Sequence, residues 1–188
     1  MKVLLLNGSP RPNGCTFTAL GIVAETLQEN GIEPVLFQAG SPDTVNVKMA
    51  AALMKESDAL VVGSPVYWAS PSGQIITFLD KFAPLAGKDM LYKPAASVAS
   101  ARRAGTTATL DVLNKYFLYH QMPIVSSNYW NMVHGNTPEE VLEDKEGVQI
   151  MRVLGKNMAW LLKSIEAGKA AGLALPEAET KVMTNFIR

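Results

Sequence analysis

Cysteine is almost absent from this chain, and that scarcity removes whole classes of chemistry. A single residue, Cys15, among 188 leaves no intramolecular disulfide and no multi-thiolate metal or iron–sulfur site within one chain. Histidine is nearly as scarce: His120 and His134 alone support neither a histidine metal centre nor a Ser-His triad, and no metal site is expected. Charge of neither sign is in excess. Seventeen basic and 17 acidic residues cancel, which argues against a nucleic-acid surface or a basic membrane patch. No apolar run approaches the roughly 18 residues that span a bilayer. The Met1-Lys2-Val3 start leads straight into a strand pattern rather than a cleavable signal, so the expected location is cytoplasmic.

What the chain does have is an alternation of two periods. Short, near-continuous apolar runs at Val3 to Leu6, Pro34 to Phe37, Ala59 to Val62, Ala95 to Ala99 and Pro123 to Val125 read as strands covered on both faces. Between them fall helical stripes: Phe17, Leu20, Ala24, Leu27; then Ile75, Leu79, Phe82; then Leu110, Leu113, Phe117. A last stripe runs from Met151 through Leu154, Met158 and Leu161 to Ile165. Asn30-Gly31 closes the first helix, Pro71 opens the third, and Thr137-Pro138-Glu139-Glu140 has the form of a capped start. The expectation is one α/β domain over residues 1–168 with five parallel strands, followed by a tail over 169–188. Residues 39–45 form a connection without a clear pattern.

The first strand breaks into Asn7-Gly8-Ser9-Pro10-Arg11-Pro12-Asn13-Gly14-Cys15-Thr16 and then a helix. Small residues let backbone N–H groups face an anion, the helix start adds its dipole, and Arg11 adds a full charge. The bland alternative is an ordinary strand-to-helix turn that uses Gly and Pro for geometry. Spacing narrows the anion. Five residues separate Gly8 from Gly14, one more than a nucleotide-triphosphate loop has, and Cys15 stands where that loop needs lysine; the dinucleotide pattern G-x-G-x-x-G is absent as well. A Cys-x5-Arg phosphatase loop fails because position 21 is Gly21. A monophosphate cradle remains.

In open α/β sheets ligands sit beyond the carboxyl ends of the strands where strand order reverses, which for the order 2-1-3-4-5 lies between strands one and three. The loop after strand three should therefore face the first. It reads Gly63-Ser64-Pro65-Val66-Tyr67-Trp68-Ala69-Ser70-Pro71, an aromatic pair between prolines, suited to the wall of a planar ring.

These two segments together resemble the NADPH-dependent FMN reductase family of flavodoxin-like proteins. The resemblance implies a flavodoxin-like three-layer sandwich and a non-covalent FMN. Its phosphate would lie on Ser9, Arg11, Asn13, Gly14, Cys15, Thr16 and Phe17, and its ring and ribityl chain along Pro65, Val66, Tyr67 and Trp68. The loop after strand four, with Ser100, Ala101, Arg102 and Gly105, matches the family's third flavin-contacting loop in place but is richer in arginine. NADPH or NADH would deliver hydride to FMN, and a small acceptor such as a quinone, flavin, ferric, azo or nitro compound would take the electrons. No catalytic side chain is implied, since the cofactor carries the chemistry. An electron carrier, or an FMN-binding module without turnover, would use the same cradle.

Iron–sulfur flavoproteins related to this family carry a cysteine cluster after strand two, where this chain has Ser41-Pro42-Asp43-Thr44-Val45-Asn46-Val47-Lys48, so no such cluster is expected. Relatives also imply a homodimer or a dimer of dimers. Trp68, Arg103, Trp130 and His134 are the candidates for substrate contact. Cys15, at a helix N-terminus, is read as a packing or ligand contact rather than a redox group, because a bound phosphate would oppose its thiolate.

Overall fold

A computed structural model describes residues 1–41, 43–177 and 179–186. Pro42, in the connection after the second strand, and Ala178, Ile187 and Arg188 of the expected tail lie outside the described residues. The amino-terminal half runs β1 (Lys2–Asn7), α1 (Cys15–Glu29), β2 (Glu33–Gln38), α2 (Thr44–Lys55), β3 (Ala59–Tyr67), β4 (Ser70–Pro71) and α3 (Gly73–Met90). The rest comprises β5 (Ala95–Ala101), α4 (Thr106–Tyr119), β6 (Met132–His134), α5 (Pro138–Glu143) and α6 (Lys145–Ala170).

Alternation along β1 builds the three layers. Val3 and Leu5 face one way, into a core with Leu20, Val23 and Leu27 of α1 and Met151, Leu154 and Met158 of α6. Leu4 and Leu6 face the other way, against Met54 of α2, Phe78 and Phe82 of α3, and Leu113 and Phe117 of α4. Residues 3–6 of β1 are each buried by one helical layer or the other, which explains that unbroken apolar run, whereas β2 at the edge, expected to be covered on both faces, is only partly covered, with Leu36 exposed.

The parallel path is β2-β1-β3-β5-β6. It is the five-stranded flavodoxin order with two departures. First, the expected loop after the third strand is instead a continuation of β3 to Tyr67, which turns back on β4 in an antiparallel hairpin, Tyr67 opposite Ser70. The two turn residues, Trp68 and Ala69, both have left-handed φ, 53° and 56°. Two-residue hairpins demand this geometry, and Asn-Gly is its usual sequence. Second, the edge strand is split. Ile124 bridges to Ala95, residues 126–131 leave the sheet, and the chain returns at Met132 opposite Ala99. Asn157 Nδ2 donates to the Ser126 carbonyl at 2.8 Å, and Ser127 Oγ donates to the Tyr129 carbonyl at 2.7 Å, holding the excursion in place.

Helix α2 was not legible as a stripe; Asp43 starts it by accepting from Asn46 N–H. Helix α3 begins at Gly73 behind Ser72, not at Pro71, and Thr137 caps α5 through the Glu140 N–H. Among the described residues no helix is long and apolar enough to cross a membrane.

Candidate functional site

The loop after β1 is held from three sides. Asn7 Nδ2 donates to Gln38 Oε1 at 2.7 Å and to the Pro12 carbonyl at 3.2 Å, while its Oδ1 accepts from Ser9 N–H. Gln38 Nε2 donates to the Ser9 carbonyl at 2.6 Å, and Ser9 Oγ accepts from Arg11 N–H. On the other side Gly8 N–H donates to the Gly63 carbonyl at 2.8 Å, and a Cβ at Gly8 would lie 2.7 Å from that oxygen. Ser72 Oγ donates to the Gly8 carbonyl at 2.8 Å and accepts from Ile75 N–H. Asn7, Gln38 and Ser72 brace the loop without facing its ligand side. None of the three stands out in the sequence; for Asn7 and Gln38 the signal is a polar residue ending an otherwise apolar strand, and for Ser72 its place just before a helix.

The braced loop opens on a cleft of about 210 Å3 at the carboxyl ends of β1, β3 and β5. Ser9, Arg11, Gly14, Cys15 and Thr16 line one side. Pro65, Val66 and Tyr67 line a second, and Ser100, Ala101 and Arg102 a third. Gly135 and Asn136, after β6, complete the rim, and Asn136 is not among the expected residues. Thr16 Oγ1 and Ser100 Oγ are hydrogen-bonded at 2.8 Å, joining the first and third walls, and Cys15 Sγ contacts the Gly135 carbonyl at 3.7 Å.

Not every anticipated residue faces the cleft. Asn13 and Phe17 do not line it; Phe17 points outward on the first turn of α1. Trp68 sits at the hairpin tip and is 100% exposed, beside the cleft rather than in it. Gly105 is the N-cap of α4 at φ 100°, and a Cβ there would meet Ala69 Cα at 2.6 Å, so it docks the hairpin. Arg103 is exposed in the same loop. Trp130 and His134 lie elsewhere: His134 N–H donates to Asp144 Oδ2 at 2.7 Å near the start of α6.

Helix α1 begins with Gly14 and has no side-chain cap; its first described intrahelical bond is Thr18 N–H to the Gly14 carbonyl. Its first-turn donors thus face a cleft that also holds Arg11, a donor set that fits a phosphate. Burial pushes the Cys15 thiol above its ordinary pKa, outweighing its own backbone hydrogen bond and the Arg11 charge, so the group at this helix start is a neutral thiol. An anion beside it meets no competing thiolate.

Comparison with known proteins accounts for this arrangement. An iron–sulfur flavoprotein from Methanocaldococcus jannaschii is 29% identical over 192 residues, covering 88% of this chain and all of the relative. An FMN reductase (NADPH) from Pseudomonas putida is 30% identical over 110 residues, 53% of this chain and 56% of its own. A crystal structure of a WrbA-like flavodoxin from Agrobacterium tumefaciens superposes with a TM-score of 0.69 at 18% identity, covering 87% of this chain and 97% of that one. The family of NADPH-dependent FMN reductases matches residues 1–137, the segment that contains β1 through β6 and every wall of the cleft. This chain therefore belongs to the NADPH-dependent FMN reductase family, an FMN-binding branch of the flavodoxin-like fold.

Proposed function

We propose that this protein binds FMN in the cleft between the β1–α1 loop and the β3 hairpin. In this reading it uses FMN to pass electrons from NADPH or NADH to a small acceptor. The observation that carries the proposal is the uncapped start of α1 beside Arg11, where main-chain donors and a guanidinium converge on open space at the switch point of the sheet. Bound FMN would supply a ring that accepts hydride and releases electrons one or two at a time.

The chain's own work is then binding and exposure. Arg11 and the first-turn N–H groups of α1 would neutralise the phosphate, with Ser9 and Thr16 hydroxyls beside them. Pro65 and Val66 would position the ring edge through a backbone fixed on the hairpin, and Tyr67 would form its side wall. Ser100, Ala101 and Arg102 would close the opposite edge. The open side of the cleft admits both nicotinamide and acceptor in turn, and Trp68 on the rim is offered as the contact for the acceptor. No side chain needs to move a proton, in keeping with a cleft that contains no histidine.

The experiment is anaerobic addition of NADPH, and separately NADH, to the FMN-loaded protein. Bleaching of the flavin absorbance by either, and recovery on adding a quinone, is the expected result. Flavin that stays oxidised with both would replace turnover by carriage or storage of FMN.

A further inference from the structure

The tail after α6 and the outer face of α3 and α4 each leave apolar surface uncovered, and the two lie side by side. Past α6, Leu175 enters a small cavity with Leu91, Leu162 and Ile165. The chain then reaches the end of α4, where Lys181 Nζ donates to Tyr119 Oη at 3.1 Å and lies 4.5 Å from the centre of that ring. That contact fixes where the tail arrives. Beyond it Val182, Met183 and Phe186 are 91%, 70% and 90% exposed.

At the same tyrosine, α3 and α4 form a groove of about 600 Å3 that shares no lining residue with the flavin cleft. Ala83, Pro84, Val112 and Tyr119 give it an apolar lining, and their sequence neighbours Leu85 and Leu118 are exposed. Two of its polar side chains are paired within the chain. Tyr116 Oη donates to Asp80 Oδ1 at 2.5 Å, bracing α4 to α3, and His120 Nδ1 donates to the Tyr116 carbonyl at 2.7 Å. Lys115 lies on the exposed side of α4, where its ammonium stays in water. An apolar segment seated here therefore strands few polar groups.

One chain thus presents an apolar tail end and an apolar groove at one place, and fills neither with the other. Contiguous surface of this kind marks an interface. Leu85, Leu118 and Tyr119 on the helices and Val182, Met183 and Phe186 on the tail are the side chains to be covered. At roughly 100–200 Å2 each they would remove on the order of 800 Å2 per copy from water, the share of one partner in a standard stable interface. A two-fold axis meets both deficits at once, because an isologous contact sets each patch of one copy on the complementary patch of the other.

We propose that two copies of this chain pair across α3 and α4, each laying residues 182–186 of its tail into the groove of the other. Lys181, held on Tyr119, delivers the tail to the edge of the interface. The homodimer expected from the sequence thereby gains a defined face, and the tail a role. Nothing in the pairing draws on the flavin cleft, so it stands whether or not the protein turns over a nicotinamide.

Sedimentation velocity on the FMN-loaded full-length protein reads the pairing directly, and the unaltered protein should be dimeric at about 100 μM. Two variants attack the two surfaces separately: Val182→Ser with Met183→Ser and Phe186→Ser on the tail, and Leu118→Asp on α4. Each should weaken the dimer at least about tenfold with FMN content unchanged, since all four side chains are exposed in the single chain and none lines the cleft. A mixture of the two variants should dimerise more tightly than either alone, because the mixed pair regains one intact tail in one intact groove. A tail that covered its own groove would gain nothing from mixing. A monomeric unaltered protein at that concentration, a smaller loss in either variant, or a mixture no tighter than its parts overturns the proposal.

Discussion

Helices α1 and α3 start on opposite sides of the same loop, yet they are finished differently. Ser72 caps α3, taking the Ile75 N–H and giving its own proton to the Gly8 carbonyl. Helix α1 starts at Gly14 with no side chain to take its donors. Asp43, Thr137 and Asp144 likewise cap α2, α5 and α6. Four helices thus take a first-turn donor with their own cap; α1 and α4 carry no side-chain cap, and of these α1 is the one whose first turn lines the cleft beside Arg11. A capped start contributes about 1 kcal/mol of stability, and leaving α1 without one is what a site for an anion requires.

Giving α1 the finish of α3 should produce the largest change. In Gly14→Asp a carboxylate would occupy the first-turn donors and repel phosphate, so FMN affinity should fall on the order of 100-fold, about 2.7 kcal/mol. The apoprotein should melt no lower, because the new side chain caps the helix. Fluorescence titration and calorimetry on the same preparation read both. Next, Arg11→Ala should weaken FMN binding by about 2 kcal/mol and leave riboflavin binding unchanged, since the contact removed is a charged one to phosphate. Equal losses for both ligands would move Arg11 off the phosphate.

The converse change is Ser72→Ala. Losing the cap and the bond to the buried Gly8 carbonyl should destabilise the fold by about 1–2 kcal/mol, seen as a lower denaturant midpoint at constant slope. Smaller again, and of opposite sign, is the hairpin. Trp68→Asn with Ala69→Gly would relieve two left-handed residues and should raise stability by about 1 kcal/mol. Reductase kinetics should change because the rim indole is lost, whereas a fall in stability would show that Trp68 has a packing role.

The smallest effect concerns Cys15, the first residue of α1. The Cys15 pKa is raised, so its protonated form is the one the fold favours. Its contribution to stability is complete below the ordinary thiol value of 9.0 and is lost as pH rises through the higher folded value. Alkylation of apoprotein by iodoacetamide should therefore still be accelerating above pH 9.0. A rate that levels off below neutrality would instead mean an activated thiolate.

Layer order, the first loop and most of the cleft could be read from the sequence because their causes are local. Val3 to Leu6 is apolar on both faces because helices cover both, and Gly8 to Thr16 must be a loop that feeds a helix. Three features escaped for reasons that are not local. Helix α2 is half exposed and carries its signal in the Asp43 cap rather than in a stripe. The hairpin at Trp68-Ala69 lacks the glycine that announces such a turn, and its conformation is imposed by docking against Gly105. The split edge strand contributes only Met132–His134 to the sheet, too short a run to show a period. Asn7 and Gln38 were invisible for the same reason: their role exists only once two neighbouring strands bring them together.

The most direct test of the open helix start is the ratio of FMN to riboflavin affinity in the unaltered protein, measured by fluorescence quenching. The two ligands differ only in the phosphate. FMN should bind at least about 100-fold more tightly, and Gly14→Asp should bring that ratio close to one. Equal affinities in the unaltered protein would mean that the donors of α1 and the Arg11 charge hold no phosphate.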